Sequence, residues 1–161
     1  MSPTSPSSLP SPSSPLWECP RCGHHFVTRN LWHSCVNVDV DAHFAGRPPE
    51  RRATWERWVD AARACGPVTA YAQKTRLVIM ARMRFAGAVV RVSSLDAHLV
   101  LHRRAEHPRL RRVEDYGSLG QVHRFRLDRP DDVDDALRAL VAEAYRVGTQ
   151  EDRAGRGTPN A

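Results

Sequence analysis

Lysine is almost missing from this 161-residue chain: of its 24 basic side chains only Lys74 is not arginine. The net charge is +6 and the pI is near 9.8, a balance that attracts polyanions. An arginine bias with many Ala, Val and Asp is also what a GC-rich coding sequence produces, so the position of the charge carries more than its sum. Long apolar runs are missing too. No stretch approaches the ~18 residues that a membrane span requires, and the first residues have neither a basic n-region nor an apolar h-region. A cytoplasmic protein without a membrane partner is expected. Catalytic loops are equally absent, with no G-x-x-x-x-G-K-[ST], no G-x-S-x-G and no H-E-x-x-H. Glu106-His107 and Asp96-x-His98 are acid–histidine pairs of the kind that arise by chance, so a binding role is expected before a catalytic one. Aromatics make up only 7% and form no regular stacking series of the sort single-strand binders use.

What is present divides the chain. Residues 1–15 hold seven Ser and five Pro and no charge; such a segment buries too little apolar surface to offset its ordering entropy. Residues 1–16 are therefore expected as a disordered tail, 17–46 as a zinc-finger-like head and linker, 47–148 as an α+β domain, and 149–161 as a second disordered tail. Within the domain, Trp55, Trp58, Val59 and Ala62 recur at helical spacing, and Gly66-Pro67 stops that helix. TRLVIMA, RFAGAVVRV and LDAHLVLH then alternate with period two, as strands with one buried face do. The arginine-rich HRRAEHPRLRR reads as a polar loop before QVHRFRL, the last strand. A final helix is expected directly after Pro130, with Asp131, Asp132, Asp134 and Asp135 in its first turns and Val133, Leu137, Leu140, Val141 and Ala144 as its stripe. The fold class that results is an antiparallel β-meander packed by an N-terminal and a C-terminal helix, preceded by a small zinc-binding head.

The most specific signal is Cys19-x2-Cys22 followed by His33-x-Cys35. Cys-x2-Cys is the usual spacing of a turn that aims two thiolates at one ion, and zinc takes four N or S ligands in a tetrahedron. Residues two apart in an extended segment point the same way, so His33 and Cys35 can share that ion. The preferred ligand set is Cys19, Cys22, His33 and Cys35, with His24, His25 and His43 as rivals for the histidine place. A filled shell of four protein ligands marks a structural zinc. Trp17, Phe26 and Trp32 supply the small core such a head needs. Cys65 closes an amphipathic helix and reads as a small buried residue.

Between Arg76 and Arg126 lie eleven arginines against four acids. Arginine forks bind phosphate or carboxylate with two hydrogen bonds, so Arg103, Arg104, Arg109, Arg111 and Arg112 are candidates for contact with a polyanion, DNA or RNA. A solvated polar face with arginines guarding sheet edges is the plainer alternative. Lys74, Arg76, Arg84, His98 and His102 form a second candidate site, a pocket for a small anionic ligand or a protein partner. Parity puts Arg76 and Arg82 on one face with Val78 and Met80.

The segments WECPRCGHHFVTRNLWHSC, HFAGRPPE, CGPVTAYAQKTRLVIMARMRFAG, EHPRLRRVEDYG, VHRFRL and AYRVGTQE together resemble an uncharacterised bacterial group, domain of unknown function family 5655. The resemblance spans about residues 17–151 and implies that the head and the α+β body belong together. It implies no activity, since that family carries none to transfer.

Overall fold

The period-two alternation between Val68 and Leu127 becomes six antiparallel strands in the computed structural model, which describes residues 15–30, 33, 35 and 38–151. The head contributes a two-stranded ribbon, β1 Trp17–Glu18 and β2 His25–Phe26. The six strands are β3 Thr69–Ala72, β4 Leu77–Met80, β5 Arg84–Val90, β6 Leu95–Leu101, β7 Leu110–Asp115 and β8 Gln121–Leu127. Three helices accompany them, α1 Val40–Phe44, α2 Pro49–Arg63 and α3 Asp135–Thr149. Most of the two expected tails, and Trp32, lie outside the described residues.

Strand order in the sheet is β3-β4-β5-β6-β8-β7. The first four strands run as a meander, and β8 then returns between β6 and β7. Part of the expected loop is thus a strand: Leu110 to Asp115 pair along β8, with Arg112 opposite Arg124 and Glu114 opposite Val122. An edge strand needs pairing on one side only, so a charged sequence such as LRRVED serves there.

One face of the sheet carries the core. Leu77, Ile79, Phe85, Leu95, Leu99, Leu101 and Phe125 are wholly or almost wholly buried against Trp58 of α2 and Leu137 and Val141 of α3, and Phe44 of α1 joins the same cluster. The expected stripe of α2 is all inward, with Trp55, Trp58, Val59 and Ala62 buried. The last turn of α3 lies so close to the sheet that a Cβ on Gly148 would stand 2.4 Å from Phe85 Cδ1. Only a glycine fits there.

The final helix begins later than the acidic run suggests. The chain first makes a 3-10 turn over Pro130–Asp132, because the buried Asp132 carboxylate accepts the N–H groups of Asp128 at 2.8 Å and Arg129 at 3.1 Å. α3 then starts at Asp135 under the cap of Asp134, whose side chain accepts from the Leu137 N–H at 2.8 Å. Helix starts favour such oxygen caps because the first N–H groups lack partners. Val133, expected in the helical stripe, is buried in the connection before it.

Among the described residues, no helix covers the opposite face. Its central row runs across all six strands in register: Tyr71, Val78, Gly87, His98, Arg124 and Arg112. Ile79 pairs with Ala86 and Met80 with Arg84, so the β4–β5 pairing shifts register there. Arg82 lies past the end of β4, in the turn before β5, and donates from Nε to Gln150 Oε1 at 3.2 Å.

Candidate metal centre and basic sheet face

The head folds around a tight turn. Gly23 N–H donates to Cys19 O at 2.8 Å, and Cys19 N–H to His24 O at 2.9 Å. Gly23 sits at φ 73°, a left-handed conformation that glycine adopts without steric cost. The turn brings Cys19 and Cys22 together, and β2 leads the chain back toward His33 and Cys35. One ligand atom from each of these four residues lies within 4.8 Å of every other. His33 Nε2 stands 3.2 Å from Cys22 Sγ and 3.4 Å from Cys35 Sγ, and Cys19 Sγ is 3.8 Å from Cys35 Sγ. Bonds of ~2.3 Å to sulfur and ~2.0 Å to nitrogen in a tetrahedron give S···S edges of about 3.8 Å and S···N edges of about 3.5 Å. The cluster has the dimensions of a metal shell. All four cysteines of the chain are free thiols.

The thiols titrate apart. Burial raises Cys19, but the backbone N–H groups of Arg21 and Cys22, together with the Cys22 and Cys35 thiols, outweigh it and bring Cys19 down to about 6. Burial and its sulfur neighbours push Cys35 up to about 11. Three sulfurs this close resist ionising together unless a cation joins them.

The rival histidines lie elsewhere. His24 stacks on Tyr71 with ring centroids 4.2 Å apart, His25 faces Glu18 at 3.7 Å, and His43 Nε2 bonds Gln73 O at 2.7 Å. Cys65 is half-buried at the end of α2 and bonds Ala61 O; burial raises its thiol above the ordinary range.

On the open face of the sheet, Arg76, Arg84, His98 and Arg124 line a cavity of about 340 Å³ together with Gln73, Val78, Val100, Tyr116 and Val122. Among the described residues, no carboxylate lines it. Gly87, between Val78 and His98 in the central row, has no room for a side chain: a Cβ there would stand 2.7 Å from His98 Cε1 and 2.3 Å from Leu77 O. His98 Nδ1 is buried without a hydrogen-bond partner. Burial, then the charges of Arg124 and Arg76, hold the His98 imidazole down at about 4, and Glu114 acts weakly the other way. The ring is therefore neutral near pH 7. Arg124 is partly balanced by Glu114, 3.2 Å away. Among the described residues, Arg84 meets Tyr71 Oη at 3.0 Å and the Phe26 ring at 5.8 Å and forms no ion pair.

Of the five residues expected to form the pocket, Arg76, Arg84 and His98 meet in it. Lys74 is exposed in the β3–β4 turn, and His102 lies at the far end of β6 beside Gly120. Arg124 and Tyr116 also line the cavity and were not singled out by sequence. Period two puts Arg124 on one face with Val122, but only the insertion of β8 beside β6 sets it next to His98.

The arginines expected to contact a polyanion are mostly engaged. Arg103 grips Glu143 through Nε at 2.7 Å and Nη2 at 2.8 Å. Arg104 faces Glu106 at 3.6 Å and Arg112 faces Glu114 at 3.0 Å. Arg109 spans Asp128 at 3.1 Å and Asp132 at 2.7 Å, while His107 next to it bonds Asp134 at 3.1 Å. The EHPR segment is a latch that holds the β8–α3 connection. Arg111 alone among the five has no ion pair among the described residues.

A family model described as domain of unknown function (DUF5655) matches residues 40–148. The chain belongs to that family. The match starts at α1 and stops within the last turn of α3, so it covers the family's sheet and helices and leaves the cysteine cluster outside. No curated protein and no solved structure matches the chain. Among the described residues, no helix is long and apolar enough to cross a membrane.

Proposed function

We propose that the protein is a zinc-stapled binding module whose ligand is a small anion, held on the open face of the sheet. The observation that carries the reading is the cavity around His98, which three arginines line and, among the described residues, no carboxylate does. Guanidinium groups keep their charge at any physiological pH and meet phosphate or carboxylate with paired hydrogen bonds. A neutral His98 adds one donor and one acceptor. Zinc is supported by the donor set: three thiolates and an imidazole suit a borderline-soft ion, and four protein ligands close its shell.

A small ligand fits these observations better than a nucleic acid, because four of the five loop arginines already hold carboxylates. The test has two parts. Metal content of the purified protein is expected at about one zinc per chain. Thermal stability is expected to rise saturably with sulfate or inorganic phosphate, and this rise should vanish in R76A and in R84A. No stabilisation by either anion sinks the small-ligand reading. Strongly salt-dependent binding of DNA or RNA that R111A abolishes and R76A leaves intact would move the function to the β7 edge.

A further inference from the structure

The cysteine cluster and the basic cavity share a wall. His33, whose Nε2 faces two of the sulfurs, stacks its ring on Phe26 with centroids 4.3 Å apart. Phe26 in turn lies under the Arg84 guanidinium at 5.8 Å. On the other side, Arg84 Nε donates to Tyr71 Oη at 3.0 Å, and His24, the residue after Gly23 of the cysteine turn, stacks on Tyr71. Arg84 therefore stands between two rings, one carried by the head and one held by it. Arg84 is exposed and, among the described residues, forms no ion pair with a carboxylate, so the Phe26 and Tyr71 contacts are what orient it over the cavity.

We infer that metal occupancy of the head sets the affinity of the anion site, with Arg84 as the shared element. This rests on the small-anion reading above. A head of two two-residue strands has almost no core of its own, and small metal-stapled units lose their fold when the metal leaves. Phe26 and His24 then leave Arg84, which samples its solvated rotamers and must be ordered again by each arriving anion. Preorganisation is lost and affinity falls. Linkage requires the converse, that a bound anion tightens the hold on the metal by the same factor.

The test uses the full chain, with sulfate as a probe that does not itself sequester zinc. Sulfate affinity is measured before and after the metal is stripped and the chelator dialysed away. Separately, the Arg84 Nε–H resonance, identified by its disappearance in R84K, is followed in the absence of any anion. Loss of metal is expected to weaken sulfate binding about tenfold, within the usual range of coupling between sites, and to move the Arg84 resonance. F26L, which keeps the metal and loses the ring, is expected to weaken sulfate binding about threefold, about half of the same coupling on the free-energy scale. Equal sulfate affinity with and without metal, and an unmoved Arg84 resonance, overturns the coupling and leaves the small-anion reading standing. No sulfate binding to the zinc-loaded protein, with the Arg84 resonance still responding to metal, removes the small-anion reading and this inference with it.

Discussion

The two faces of the six-stranded sheet are built by the same strands and obey different rules. Toward the helices, most alternate residues are leucine, isoleucine, alanine or phenylalanine, among them Leu77, Ile79, Ala88, Leu95, Ala97, Leu99, Leu101 and Phe125, all buried. Away from them, the alternate residues run Tyr71, Val78, Gly87, His98, Arg124 and Arg112. A strand thus separates a packed face from a polar one by parity alone, residue by residue. The helical face tolerates little change because a packed interior does not relax around a void. The open face keeps polar groups whose worth to the fold is small, so its composition reflects some other demand.

Substitutions on each face put numbers on that division. Trp58 is fully buried between α2 and the sheet, and W58A is expected to cost about 3–5 kcal/mol in chemical denaturation. On the open face the largest effect is tied to pH. An unfolded histidine titrates near ~6.5, whereas burial and its arginine neighbours hold folded His98 at about 4. Between those values the unfolded chain binds a proton that the folded protein refuses, so stability falls as pH falls. Compared with wild type, H98N should lose less stability from pH 6.5 to pH 4, by up to ~3 kcal/mol at 1.36 kcal/mol per unit. Parallel slopes in the two proteins would show that His98 is not held neutral.

A finer test uses one glycine from each face. G148A drives a methyl into Phe85 and G87A drives one into Leu77 O and His98; each is expected to cost about 1–3 kcal/mol by overpacking. Only G87A should also abolish sulfate binding, and loss of binding in both would mean the faces are not independent. The smallest contrast lies in the arginines outside the cavity. R109A strands the buried Asp132 carboxylate, which keeps its backbone donors, and is expected to cost about 1–2 kcal/mol. R111A should fall within about 0.5 kcal/mol of wild type.

The parts that sequence exposed share a local cause. Cys19, Cys22, His33 and Cys35 lie within one short stretch at spacings that metal chemistry favours, so their clustering, His33 included, was legible. The α2 stripe and the alternation of β6 were legible because periodicity is local as well. The parts that escaped depend on distant partners. Arg103 meets Glu143, and Arg109 meets Asp128 and Asp132; nothing near the arginines announces these carboxylates, so their charge looked free. LRRVED resembled a loop because an edge strand with one polar side shows little alternation. His98 was singled out, but its neighbour Arg124 was not, since their pairing depends on where β8 inserts. The late start of α3 followed from Asp132 capping the β8 exit rather than the helix.

That insertion leaves its mark on how the chain must be made. β6 pairs with β5 on one side, and its other side waits for a strand that is synthesised after β7. A nascent chain that has not yet reached Gln121 presents the N–H and C=O groups of Leu95–Leu101 as an open seam, flanked on one face by leucines. Open seams of this sort are where separate molecules add strands to one another. The completed protein shows β7 at that border instead, where Arg111, Arg112, Glu114 and Asp115 discourage addition. On that side of the sheet the hazard of aggregation is thus confined to an interval of synthesis, and agents that slow translation through the β7–β8 hairpin should lower the yield of soluble chains without altering the finished fold.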